Sequence, residues 1–230
     1  MGLGCGCCGL VLLMIGSVVG AGFFGVSAVK DYVEDMKDPE SRAAKARELL
    51  GASQLPEGYF AQFYVRIPWV FDLVVLSDGE PAVMKDDSME LQDENFGERA
   101  FIFFTIRQGK MDENDVDDML QGRRTNDGVE VDVGLEVAAD EELASGAFDV
   151  GPQRLKYKSH RGEVSLDGKP VPGIYSRILF DCEGDTLTRA AVWFQRAPEA
   201  ESAEALAIPG SPADEAALRQ FLGHFNVCVD

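Results

Sequence analysis

The sequence predicts an α+β fold: a single transmembrane helix at the N-terminus, then a mostly antiparallel sheet flanked by a first helix and a C-terminal helix. Three observations predict this fold class. The first 29 residues contain no charged side chain. Apolar and polar residues then alternate in several short segments, as in strands that bury one face. Helices are expected before and after those segments, an order typical of α+β domains, with one short helix from Asp112 to Leu120 between strands.

Residues 1–29 are the predicted transmembrane anchor. A helix over residues 9–29 would be roughly 31 Å long, which matches the ~30 Å hydrocarbon core of a bilayer. A cleaved signal peptide is the alternative, because Val26, Ser27 and Ala28 offer small residues for cleavage. No Lys or Arg precedes the apolar run, however, and the run is longer than a usual signal-peptide core. The sequence therefore favours a retained anchor.

The anchor also contains a candidate helix-dimer face. Gly16 and Gly20 form a G-x-x-x-G pair, and small residues at this spacing let two membrane helices approach closely. The alternative is a glycine-rich helix that contacts lipid alone.

The expected location is the cell membrane, with two orientations open. Five basic residues follow the apolar run within 18 positions, which by the positive-inside rule places the domain in the cytoplasm. Cys182 and Cys228 form a candidate disulfide. In the cytosol the two thiols would be kept reduced, so a disulfide favours an extracytoplasmic domain. Two buried free thiols are the alternative to that bond. The sequence favours an extracytoplasmic domain and leaves the cytoplasmic orientation open.

Residues 30–55 are predicted as a juxtamembrane helix or stalk, and residues 56–230 as the acidic α+β globular domain. Asp38 is the predicted N-cap, Pro39 occupies the first helical position, and Gly51 ends the helix. A second predicted capping box, Ser211 to Asp214, opens the C-terminal helix. Its apolar residues at helical spacing are Leu218, Phe221, Leu222 and Phe225.

The strands are predicted from period-two alternation. In the first strand, one face should carry Tyr59, Ala61, Phe63, Val65 and Ile67, and the other face Gln62, Tyr64 and Arg66. A second strand is expected from Trp69 to Leu76. Residues 100–106 are apolar on both faces, which predicts a central strand covered on both sides. Further strands are expected near 129–137 and 154–160, with hairpins turning at 166–169 and 183–185.

The formal net charge is −19, and all of it lies after residue 29. Such a domain repels phosphate backbones, so nucleic acid is not an expected partner. Arg154, Lys156 and Lys158 alternate on one strand face and form a weak anion-binding candidate. The alternative is that they pair with an acidic neighbouring strand, since opposite charges across strands are mildly favourable. The acidic residues expected there are Glu130, Asp132 and Glu136.

No catalytic, cofactor or metal motif is recognised in the sequence. Neither histidine stands in a metalloprotease pattern. The acidic run at 112–118 places Asp117 where an EF-hand loop needs glycine and Arg123 where it needs glutamate.

These observations predict a single-pass membrane protein that presents a non-enzymatic binding or assembly domain. The alternatives are a secreted domain after signal-peptide cleavage, and an enzyme with a carboxylate-based site that the sequence does not reveal. The expected partners are the lipid bilayer, a second copy through the membrane helix, and an unknown protein. No cofactor is expected.

Overall fold

A computed structural model of the chain describes residues 35–67, 69–82, 93–107, 135–166 and 169–228. The described helices are α1 (Pro39–Leu50), α2 (Asp93–Phe96) and α3 (Glu215–Leu222), with one 3-10 turn at Ala203–Ala205. The described strands are β1 (Phe60–Ile67), β2 (Phe71–Ser77), β3 (Arg99–Ile106), β4 (Leu135–Val150), β5 (Gln153–Leu166), β6 (Lys169–Cys182) and β7 (Thr188–Arg196). The domain is a sheet-dominated α+β fold, as predicted.

The described strands form one antiparallel sheet in the order β1-β2-β3-β7-β6-β5-β4. The sheet thus consists of two meanders, β1 to β3 and β4 to β7, which join where β3 pairs with β7. At this seam Ala100 lies opposite Phe194 and Phe103 opposite Ala191. Strand β3 is buried from Ala100 to Ile106, so the predicted central strand is confirmed. Both predicted hairpins, β5–β6 and β6–β7, are confirmed as well.

Helix α1 begins and ends where the sequence predicts. The Asp38 carboxylate accepts a hydrogen bond from the Ser41 amide at 2.9 Å, Pro39 occupies the first turn, and Gly51 ends the helix at φ +59°. Ala46 and Leu50 are fully buried in the larger of the two core clusters. The helix therefore packs on the sheet as the first helix of the domain and is not a free stalk.

Helix α3 begins later than predicted. Its N-cap is Asp214, whose carboxylate accepts a hydrogen bond from the Ala216 amide at 3.0 Å. Ser211, predicted to open a capping box, is buried in the preceding turn, where its hydroxyl accepts a hydrogen bond from the Ala213 amide. The predicted start was wrong because Ser and Asp are both good N-caps. The Ser211 hydroxyl bonds within the preceding turn, and Asp214 caps the helix.

Aromatic contacts hold α3 on the sheet. The Phe221 ring stacks on Trp193 of β7 with 4.4 Å between ring centroids, and its edge meets Phe101 of β3 at 5.2 Å. The Trp193 indole N–H donates a hydrogen bond to the Tyr59 hydroxyl at 2.9 Å. The helical face of the sheet and α3 thus share one aromatic core. The opposite face has its own buried cluster, which includes Phe104 and Phe194.

The strand at each edge of the sheet has an irregular register. In β1 the pairing with β2 shifts between Ala61 and Phe63. Gln62 and Tyr64 were predicted on an outer polar face, and both are buried because this shift breaks the alternation. In β4 the pairing with β5 shifts twice, between Ala139 and Glu141 and between Glu142 and Ala144.

Strand β4 also differs from its prediction in length. The described strand runs from Leu135 to Val150, well beyond the predicted end at 137. The part of the prediction at 129–134, and the acidic run at 112–118, lie outside the described residues.

Within the described ranges, no helix is long and apolar enough to cross a membrane. The predicted anchor at 1–29 and its Gly16–Gly20 pair lie outside those ranges. Both stay predictions.

Candidate functional site

A disulfide joins Cys182, at the end of β6, to Cys228 near the C-terminus, with 5.4 Å between the Cα atoms. The same tail is held by Gln153 at the start of β5. Its side-chain amide donates to the Phe225 carbonyl at 2.7 Å and accepts from the Val227 amide at 3.2 Å. The chain after α3 is therefore fastened to the sheet by one covalent bond and two hydrogen bonds.

Arg154, Lys156 and Lys158 all lie on β5, on one face, as the sequence predicted. Arg154 lies opposite Asp149 of β4 and Asp181 of β6. These aspartates and Glu183 line, with Arg154, an open depression of about 300 Å³. Because three carboxylates surround one guanidinium, this end of β5 would repel an anionic ligand. The anion-binding candidate as a whole stays a prediction.

The predicted acidic neighbours of this cationic stripe are not where the sequence placed them. Glu136 lies opposite Ser165, near the far end of β5. Glu130 and Asp132 lie outside the described residues. The expected pairing is wrong for Glu136, because β4 is so long that its first residues pair beyond the stripe.

Two buried polar groups were not anticipated from the sequence. Arg42 of α1 is fully buried, and its guanidinium donates to the backbone carbonyls of Met36, Ala61 and Ala82 at 2.6, 3.2 and 2.7 Å. Burial lowers the pKa of this guanidinium. These bonds join α1, β1 and the chain after β2, which is a structural role. The periodicity offered no signal, because a buried arginine interrupts an otherwise ordinary helix pattern.

The second buried group is His160 of β5, which lies opposite Tyr175 of β6. Its Nε2 atom is 2.6 Å from the Arg177 guanidinium, and its ring stacks on Tyr175 at 5.4 Å between centroids. An arginine can only donate, so this geometry places the histidine proton on Nδ1. In the described parts of the chain, no group of three or more His, Cys, Asp or Glu side chains could hold a metal ion.

The most unusual surface is the tip of the β1–β2 hairpin. Trp69 is 78% exposed and has a left-handed backbone conformation, with φ +64°. It is the only non-glycine residue with positive φ among the described residues. A bulky side chain is rare in this region, because its Cβ crowds the following carbonyl. Ile67, Val70 and Phe71 beside it are each half-buried.

Hydrogen bonds hold the tip in place from two sides. The Val70 amide donates to the Ile67 carbonyl at 3.1 Å, which closes the turn. The Val70 carbonyl accepts from the Arg107 amide at 2.9 Å, which ties the turn to the end of β3. The conformation of Trp69 is therefore imposed by its neighbours on both sides. The sequence pattern predicted Trp69 inside the second strand, although the preceding proline was a signal for a turn.

At the base of the tip, the positively and negatively charged side chains of the described residues form ion pairs. Asp72, which is nearly fully buried, forms ion pairs with Arg107 and, at 3.4 Å, with Arg66. Arg66 also pairs with Glu48 of α1 at 2.8 Å. Two cations thus face two anions around an apolar tip, in a chain whose formal net charge is −19.

Comparison with known proteins found no matching family model, no similar curated protein and no similar solved structure, so the inferences below rest on this chain alone.

Proposed function

We propose that this chain is a single-pass membrane protein whose apolar N-terminal segment holds an extracytoplasmic binding or assembly domain at the bilayer. The observation that carries the orientation is the Cys182–Cys228 disulfide. Disulfides persist in oxidising compartments and are reduced in the cytosol. The bond supports the outer orientation against the count of basic residues after the anchor.

The anchor itself is supported by the sequence of residues 9–29. Water cannot solvate an uncharged apolar run of this length, whereas a bilayer core matches it. The exposed Trp69 tip supports a binding role, because a large exposed aromatic side chain in a strained backbone conformation is typical of contact sites.

The first experiment tests the anchor. The full-length chain is expressed, membranes are washed at alkaline pH, and the intact mass of the membrane-bound protein is measured. We expect the mass of the complete chain in the membrane fraction. Leu13→Arg combined with Val18→Arg should move the protein out of the membrane, whereas Leu13→Ile with Val18→Ile should not. A soluble product that lacks the first 28 residues would instead support the secreted alternative.

The second experiment tests the orientation. Cells are lysed directly into a denaturant that contains an alkylating reagent, which exposes buried thiols, and the mass added at Cys182 and Cys228 is measured with and without prior reduction. We expect addition only after reduction. Addition without reduction would show free thiols and place the domain in the cytoplasm.

A homodimer through Gly16 and Gly20 is a further proposal that depends on the anchor. Gly16→Ile and Gly20→Ile would each separate two helices packed at a G-x-x-x-G face. We expect less cross-linked dimer from these variants in membranes than from the wild type. Equal cross-linking in all three proteins would contradict the proposal.

A further inference from the structure

The backbone at Trp69 is strained, and no hydrogen bond or ring contact among the described residues involves its indole. The side chain is 78% exposed, so it adds little to the core. Glycine would adopt φ +64° without crowding, and the chain places glycines at other left-handed positions, such as Gly58 and Gly184. An exposed tryptophan kept at such a position indicates that the ring meets something outside the domain.

The chemistry of the tip favours a lipid interface. Tryptophan is enriched where the bilayer meets water, because its ring is apolar and its N–H needs a polar partner. The exposed parts of Val70, Ile67 and Phe71 extend the apolar surface, while Ile67 and Phe71 also pack on the core cluster of that face. The charges at the base of the tip pair with one another around Asp72. Among the described residues, the tip therefore lacks the excess of negative charge that would repel anionic headgroups from the rest of the domain.

The position of the tip also fits the bilayer that would hold the anchor. The described chain begins beside the start of β1, where Arg42 bonds both Met36 and Ala61. From Ala61 to Ile67 the strand extends about 20 Å. Residues 30–34, which connect the predicted anchor to the described domain, would span nearly this distance if they were extended rather than helical. The anchor and the tip can thus reach the same membrane surface.

We propose that Trp69 inserts into the interfacial layer of the bilayer that holds the anchor, so that the domain lies with its β1–β2 tip against the membrane. This inference rests on the proposed anchor, which keeps the tip at a high effective concentration beside lipid. One tryptophan binds a bilayer weakly by itself. On a domain that is already tethered to the membrane, this weak contact is intramolecular in effect and is sufficient to set the orientation of the domain.

The experiment uses tryptophan fluorescence of the full-length chain in phosphatidylcholine vesicles. The chain has two tryptophans, and the other one, Trp193, is 4% exposed and stacked in the core. Vesicles with and without bromine on the lipid acyl chains near the headgroups are compared, since bromine quenches only rings that touch lipid. We expect brominated lipid to remove the Trp69 part of the emission. Trp69→Asn should be insensitive to bromine, and asparagine tolerates the left-handed backbone.

A matched pair of variants keeps both tryptophans. Val70→Glu places a charge at the tip, and Ile208→Glu places the same charge at an exposed apolar position elsewhere. We expect loss of quenching in Val70→Glu and wild-type quenching in Ile208→Glu. Equal quenching in both variants would overturn the proposal.

Vesicle flotation separates the two proposals. Protein that floats with vesicles but whose Trp69 is not quenched by bromine overturns the tip proposal and leaves the anchor standing. Protein that does not float overturns both. Trp69 that is shielded from aqueous iodide yet unquenched by bromine contacts a protein surface or a second copy, which also overturns insertion into lipid.

Discussion

Loss of the Cys182–Cys228 disulfide should destabilise the domain by an amount set by the length of the loop that it closes. The two cysteines are separated by 46 positions. In the chain-entropy model, a loop of that length restricts the unfolded chain by about 4 kcal/mol at 25 °C. This is a large part of the 5–15 kcal/mol that stabilises a typical domain.

The assay is urea unfolding of the full-length protein in detergent micelles, with the oxidised and reduced forms compared. Reduction changes no side-chain volume, so it avoids the cavity that a Cys182→Ala variant would create in the core. Trp193 is the reporter, because its ring stacks on Phe221 of α3 and its emission changes when the helix leaves the sheet. We expect a lower unfolding midpoint and a larger urea dependence after reduction, since the unfolded chain then exposes more surface.

A double variant, Cys182→Ala with Cys228→Ala, is the control for the reducing agent and should show the same direction of change. The reasoning is refuted if reduction changes the free energy of unfolding by less than about 1 kcal/mol. In that case the non-covalent contacts of the tail, which include the two hydrogen bonds to Gln153 and the bond from the Asn226 amide to the Leu50 carbonyl, would hold the C-terminus in place.

Three further predictions concern stability. Arg42→Met should cost about 3 kcal/mol in urea unfolding, because it leaves three buried carbonyls without their donor; a loss below about 1 kcal/mol would contradict this. Gly51→Ala should destabilise far more than Gly151→Ala in the same assay. Both have positive φ, but a Cβ at Gly51 would lie 2.0 Å from the Asn226 carbonyl oxygen, whereas Gly151 has open space; equal losses would refute the close approach. Hydrogen bonds from backbone amides lower the pKa of Asp214 in the folded protein. The charged carboxylate therefore stabilises the fold at pH values above its pKa in the unfolded chain, near 3.8. This stabilisation is lost as the pH falls through the pKa of the folded protein. The melting temperature of the wild type should therefore fall more than that of Asp214→Asn between pH 6 and pH 3, and parallel curves would count against the cap.

Much of the fold could be predicted because the decisive residues act locally. Asp38 and Gly51 delimit α1 through their own capping and backbone preferences, which the sequence shows directly. Strand β3 was predictable because residues 100–106 are apolar on both faces, and only an interior strand of a sheet that is covered on both sides buries both faces.

The rest depended on tertiary structure. The bulge after Ala61 has no side-chain signature, so strict alternation put Tyr64 on the wrong face. The part of β4 after the predicted end at residue 137 is rich in Ala, Asp and Glu, which are poor strand formers, and it becomes a strand because β5 pairs with it. Trp69 was predicted inside a strand because the turn signal of the preceding proline was given too little weight, and the exposure of its ring depends on the tertiary structure.

The register shifts in the two edge strands have a consequence for a crowded setting. Among the described strand pairs, shifts occur only in β1–β2 and β4–β5, and the interior pairs are regular. A flat edge strand exposes unpaired N–H and C=O groups that can pair with an edge strand of another molecule. A bulge twists the edge strand, which makes such pairing less favourable. If the proposed anchor holds copies of the chain side by side in a membrane, these irregular edges would disfavour pairing between the sheets of neighbouring copies.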